Sequence, residues 1–252
     1  MLAILGIGLA LVLGGTRALP HLFPQYLRPL WGTMGGPLAK DVPPALADLP
    51  VVEVDGHDLK GPVAVVLSGN GGWWGLCGQL AKTLAKAHVT TIGLNSLAYF
   101  VSRRTPEGTA RDIERMVSVY APDRPLLLIG YSYGADILAT VYQNLSEAVR
   151  SRVKVVSLLG LTHSVRYGMG FWQVAAARRS TAPAVTKISG PAVQCFQGDE
   201  EGEASGCHKL DASRVAVITL RGGHHFGGDY RTPARYVIEA WEQAEKAEPS
   251  RR

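Results

Sequence analysis

Pro125-Leu126-Leu127-Leu128-Ile129-Gly130-Tyr131-Ser132-Tyr133-Gly134-Ala135-Asp136 is the stretch on which the fold turns. Consecutive aliphatic residues with no polar alternation read as a strand buried on both faces, as the centre of a parallel sheet requires. The residues that follow, Ala135 to Thr140, read as a helix. Between them, Gly130-x-Ser132-x-Gly134 makes a sharp strand-to-helix turn whose glycines leave room for a strained backbone. Ser132 then projects at the carboxyl end of a central strand, and Tyr133, the first residue of the helix, offers a backbone N–H to an oxyanion.

A hydroxyl is a poor nucleophile until a base takes its proton, so a histidine held by a carboxylate is expected later in the chain. Gln197-Gly198-Asp199-Glu200-Glu201 follows one strand-like run, and Gly222-Gly223-His224-His225-Phe226 follows the last one. Serine, acid and histidine in this order are the arrangement of an α/β-hydrolase fold. The Gly-x-x-His-Phe spacing favours His225 as the base, because the glycines let its ring swing back over the serine, with His224 as the alternative. Glu201 suits the usual length of the acid loop, and Asp199 and Glu200 compete with it. The second oxyanion donor is expected from Leu67-Ser68-Gly69-Asn70-Gly71-Gly72-Trp73-Trp74, at the backbone of Asn70 or Gly71.

The surrounding pattern agrees. Apolar runs at 51–54, 63–67, 90–94, 126–129, 153–159, 192–196 and 215–220 read as strands. Amphipathic runs at 79–87, 106–120, 135–145 and 233–245 read as helices. Two of these begin Thr-Pro, at Thr105-Pro106 and Thr232-Pro233, where the hydroxyl caps free donors and proline occupies the first helical position. The expected class is α/β, with a mostly parallel central sheet and helices on both faces.

The chain has 252 residues, 46% of them hydrophobic and 19% charged, which excludes disorder and a multi-span membrane protein as descriptions of the whole. Lys and Arg exceed Asp and Glu by 26 to 21, and this mild +5, without a basic block, does not point to nucleic acid. Residues 1–18 begin with an uncharged apolar stretch too short to span a bilayer comfortably. They are expected to be a secretory signal, either cleaved or kept as an anchor. Residues 19–46, rich in Pro and Gly, read as a linker or surface arm, residues 47–247 as the folded domain and 248–252 as a polar tail. In an exported chain Cys195 and Cys207 would pair across the acid loop and leave Cys77 over. His57, His88, His163 and His208 make no metal-type spacing, so neither a metal nor a cofactor is expected.

With these residues in hand, the sequence resembles the bacterial VirJ/AcvB virulence-protein family. The resemblance rests on Leu49-Pro50-Val51-Val52-Glu53-Val54, the glycine loop 67–73, Gly93-Leu94-Asn95-Ser96-Leu97-Ala98-Tyr99-Phe100 and Arg104-Thr105-Pro106-Glu107. It extends over the elbow, the Cys195 to Cys207 loop and Gly222-Gly223-His224-His225-Phe226-Gly227-Gly228-Asp229-Tyr230. It implies a periplasmic α/β-hydrolase of a Gram-negative bacterium that removes the aminoacyl group, typically lysyl, from aminoacyl-phosphatidylglycerol at a membrane surface. Non-catalytic docking to secretion-system proteins is the rival from another class, and an ordinary carboxylesterase or thioesterase is a third. Asn70 and Asn95 stand where the family pattern leads one to expect aspartate, and Ala98 where a basic residue is usual. Loss of two carboxylates would weaken attraction for a lysyl ammonium. Residues 164–182 fall where hydrolases often carry a lid or pocket wall.

Overall fold

In the computed structural model, the described residues are 42–54, 60–169 and 176–247, with Gly36, Leu38, Ala39 and Val174 singly. The apolar segment 1–18, most of the arm 19–46, Phe171, Trp172 and the tail 248–252 lie outside them. Among the described residues no helix is long and apolar enough to cross a membrane.

The chain alternates strand and helix. Strands β1 (Val51–Val54), β2 (Val63–Leu67), β3 (Thr90–Leu94), β4 (Leu126–Tyr131), β5 (Val153–Leu159), β8 (Ala192–Gly198) and β9 (Ala216–Leu220) form one seven-stranded sheet in the order β1-β3-β2-β4-β5-β8-β9. All its pairings are parallel except β1 with β3, which is antiparallel. A separate small hairpin pairs β6 (Ser164–Val165) with β7 (Arg179–Ser180). The helices are α1 (Leu76–Lys86), α2 (Ser96–Tyr99), α3 (Pro106–Tyr120), α4 (Tyr133–Val141), α5 (Glu147–Arg150), α6 (Ala182–Val185) and α7 (Arg231–Ala247).

Side chains alternate across a strand, so the aliphatic run of β4 feeds two cores at once. Leu126 and Leu128 pack with Ile113 and Met116 of α3 and Ile137 and Leu138 of α4. Leu127 and Ile129 face the other way, onto Leu80 and Leu84 of α1 and Val237 of α7. This doubly covered centre fixes β4, and with it the position of Ser132.

Helix boundaries follow local chemistry. Thr105 caps α3 as expected, its hydroxyl oxygen accepting the Gly108 N–H at 3.1 Å, with Pro106 at the first position. At α7 the expected Thr232 cap is not used. Asp229 Oδ1 instead accepts the N–H groups of Arg231 and Thr232, at 3.2 and 3.1 Å, so the helix starts earlier, at Arg231. A carboxylate at the positive end of the helix outcompetes the hydroxyl.

Candidate active site

Ser132 sits between β4 and α4 with φ 54° and ψ −120°, a strained conformation costing on the order of 1–3 kcal/mol. The two glycines of the elbow are there for space. A Cβ on Gly134 would come within 2.2 Å of the Leu67 carbonyl oxygen, and one on Gly130 within 2.5 Å of that of Gly134. The Ser132 N–H donates to Leu159 O at 2.7 Å, so the end of β5 anchors the turn.

The ring beside Ser132 is that of His224, not of the favoured His225. His224 Nε2 lies 2.8 Å from Ser132 Oγ, and Nδ1 lies 2.8 Å from Oε1 of Glu201. An ionised Glu201 only accepts, so Nδ1 carries the proton and Nε2 is left to accept from the serine hydroxyl. The ring of His225 is turned instead to the phenol of Tyr131, at 2.5 Å. Phe226, next in the loop, is fully buried in the core with residues of α1 and α7 and has φ 51°.

Of the three competing acids only Glu201 reaches the histidine. Its second oxygen, Oε2, accepts the Gly198 N–H at 2.7 Å, which locks the carboxylate. Asp199 is occupied elsewhere, with Oδ1 accepting the Gly222 N–H at 2.7 Å and tying the acid loop to the histidine loop. Glu200 points its carboxylate towards Gly223 and lines a cavity of about 600 Å³ beside the histidines, with Arg221 and Asp229. Cys195 and Cys207 form a disulfide that closes the acid loop, and Cys77 is the buried free thiol. Burial pushes the Cys77 thiol up to about 12, so it is no rival nucleophile.

Tyr133 opens α4, so its N–H has no acceptor within the helix. Opposite lies the glycine turn after β2, closed by a bond from Gly72 N–H to Gly69 O at 3.1 Å. A Cβ on Gly69 would stand 3.3 Å from Ser132 Cβ, so the neighbouring exposed Asn70 is at the mouth of the elbow. Gly69's own N–H is engaged by the Cys77 sulfur. The two tryptophans of the turn differ: Trp73 is buried over Gly93, whereas Trp74 is 63% exposed.

Residue 95 does not line the site. Asn95 is fully buried and caps α2, its Oδ1 accepting the Ala98 N–H at 3.3 Å, and Ala98 is buried too. The segment 164–169 packs as a wall against α4. The Tyr133 phenol accepts the Gly168 N–H at 2.8 Å and lies 3.1 Å from Arg166 O, and Tyr167 reaches the carbonyl of Ile137 at 3.2 Å. No group of three or more metal-type ligands occurs among the described residues.

Solved structures with the same architecture carry little sequence likeness. Est1E from Butyrivibrio proteoclasticus superposes with a TM-score of 0.52 at 11% identity, over 78% of this chain and 93% of that one. XC6422 from Xanthomonas campestris, an α/β serine hydrolase without a lid, gives 0.52 at 14% identity, over 80% and 90%. ATU1826 from Agrobacterium tumefaciens gives 0.54 at 16%, over 79% and 93%. These establish the α/β-hydrolase fold. No curated protein matches the chain significantly. The sequence profile described as bacterial virulence protein (VirJ) matches residues 61–245, which is most of the domain that carries Ser132, Glu201 and His224, and the chain therefore belongs to the VirJ family.

Proposed function

We propose that the protein is a serine ester hydrolase that removes the aminoacyl group from aminoacyl-phosphatidylglycerol. The observation that carries this reading is the unbroken line Glu201–His224–Ser132, with both hydrogen bonds at 2.8 Å. Ser132 Oγ attacks the ester carbonyl while His224 Nε2 takes its proton, and Glu201 stabilises the imidazolium that results. The backbone N–H groups of Tyr133 and Asn70 hold the oxyanion. As the tetrahedral adduct collapses, His224 returns the proton to the departing glycerol oxygen of the lipid. Water, deprotonated by the same ring, then releases the amino acid from Ser132.

The disulfide supports an exported location, since such bonds persist in oxidising compartments such as the periplasm. Asn95, being internal, takes no carboxylate away from the surface a lysyl group would meet. Of the two amide positions only Asn70 bears on the choice of aminoacyl group.

The test is release of free amino acid from lysyl- and alanyl-phosphatidylglycerol vesicles by the protein and by Ser132→Ala. Release by the native protein, falling up to about a millionfold in the variant, is expected. If neither lipid is cleaved while a fluorophosphonate still labels Ser132, the enzyme acts on another ester. If labelling fails too, the fold serves as a docking module.

A further inference from the structure

Asp136 lies on α4, one turn after the nucleophile, and is 4% exposed. Its two oxygens grip one residue of the loop that follows β5: Oδ1 accepts the Thr162 N–H at 2.7 Å and Oδ2 accepts the Thr162 hydroxyl at 2.6 Å. The other side of that loop is fixed by the Gly206 N–H on Leu161 O at 2.7 Å, next to the disulfide, and by the Thr181 hydroxyl on Thr162 O. Gly160, in the same loop with φ 64°, lies flat under the imidazole of His224. A Cβ there would stand 2.7 Å from Cε1 and 3.0 Å from Nδ1. A closed circuit thus runs from Ser132 through α4, Asp136, Thr162 and Gly160 to His224.

We infer that Asp136 is a positioning residue for the base, which fixes through Thr162 the shelf on which the His224 ring rests and adds a second carboxylate to the field of that ring. The charged and titratable groups around the pair are few. Asp136 faces the Tyr133 phenol of its own helix, Thr162 and His224, and His224 in turn meets Glu201, Tyr131 and His225. Burial raises the Asp136 carboxyl to about 6, while the two Thr162 bonds and the charge of His224 hold it down. An imidazolium on His224 and a carboxylate on Asp136 attract each other.

The inference rests on Ser132 and His224 working together, not on the identity of the lipid, so a short chromogenic ester serves as substrate. Asp136→Asn is expected to lower kcat/KM roughly 10- to 100-fold, the order of loss for a slightly misplaced group, and to move the acid limb of the pH profile to lower pH. Thr162→Val keeps the charge and the backbone bond to Oδ1 but removes the hydroxyl bond to Oδ2, so kcat/KM falls while the acid limb stays in place. NMR titration of the His224 imidazole, assigned by its loss in His224→Gln, reads the same shift with no substrate present and so stands apart from any failure of the aminoacyl-lipid reading. An Asp136→Asn profile that superimposes on the native one after scaling, or His224 titrating at one pH in both proteins, overturns the proposal. Should Asp136→Asn not fold, unchanged turnover in Thr162→Val overturns it equally.

Discussion

The phenol of Tyr131, the residue before the nucleophile, lies 2.5 Å from Nδ1 of His225, the residue after the base. Burial raises the phenol well above its ordinary range, so it stays protonated. Through this contact His225 acts as a strut between the two loops that carry Ser132 and His224. The adjacent histidines face different partners: His224 meets Ser132 and His225 meets Tyr131.

His224→Gln is therefore expected to lose turnover by a factor on the order of 10⁴ to 10⁶, and His225→Gln by no more than about tenfold. Ester hydrolysis and the rate of fluorophosphonate labelling read both. A larger loss in His225→Gln than in His224→Gln would reverse the assignment.

Gly160→Ala tests the shelf under the imidazole. The added methyl meets His224 Cε1 at 2.7 Å in a backbone conformation that alanine disfavours, so the ring must move off Ser132. Turnover is expected to fall about 100-fold or more, with far-ultraviolet circular dichroism unchanged. Native turnover in this variant would show that the ring is free to shift.

The disulfide closes a loop with a sequence separation of 12 and Glu201 inside it. In the chain-entropy account such a link is worth about 3 kcal/mol. Replacing both Cys195 and Cys207 by Ala is expected to lower Tm by roughly 5–10 °C and to reduce kcat, because the carboxylate loses one of its supports. Equal Tm and kcat in the double variant would show that the acid loop stands without the link.

Buried Asp136 also marks the pH dependence of stability. Its carboxyl is raised from 3.8 to about 6, so the folded state binds this proton more tightly than the unfolded chain does. The resulting stabilisation is fully present below about pH 4 and is lost as pH rises through 6, a difference of roughly 3 kcal/mol from this residue alone. Denaturant unfolding from pH 7 down to 4 is expected to show the native protein gaining stability relative to Asp136→Asn. Parallel curves would contradict it.

The sheet was readable because several of its strands, β2 and β4 above all, are continuously apolar or nearly so, and because strand and helix signals alternate. β2, β3 and β5 start and stop where their apolar runs do. The sharp turn at Ser132 was readable because glycine spacing and its strand-turn-helix setting are local. Which histidine meets Ser132 was not. His224 and His225 are neighbours in a glycine-rich loop, and His225 meets Tyr131, far away in sequence. Asp229 as the cap of α7 and the internal place of Asn95 were hidden for the same reason, since each depends on packing that residue type alone does not encode. Asp136 lay just beyond the motif and looked like one more helical residue until Thr162 was brought to it.

β9 is both the last strand in the chain and the outermost in the sheet, paired on one side only, with β8. The histidine loop hangs from its end, whereas Ser132 follows β4 at the centre of the sheet. A growing polypeptide therefore carries Ser132 long before His224 is added. On the proposed mechanism a fragment ending before residue 216 holds the attacking hydroxyl without the ring that would activate it, so the site is completed from the margin of the sheet and not from its centre.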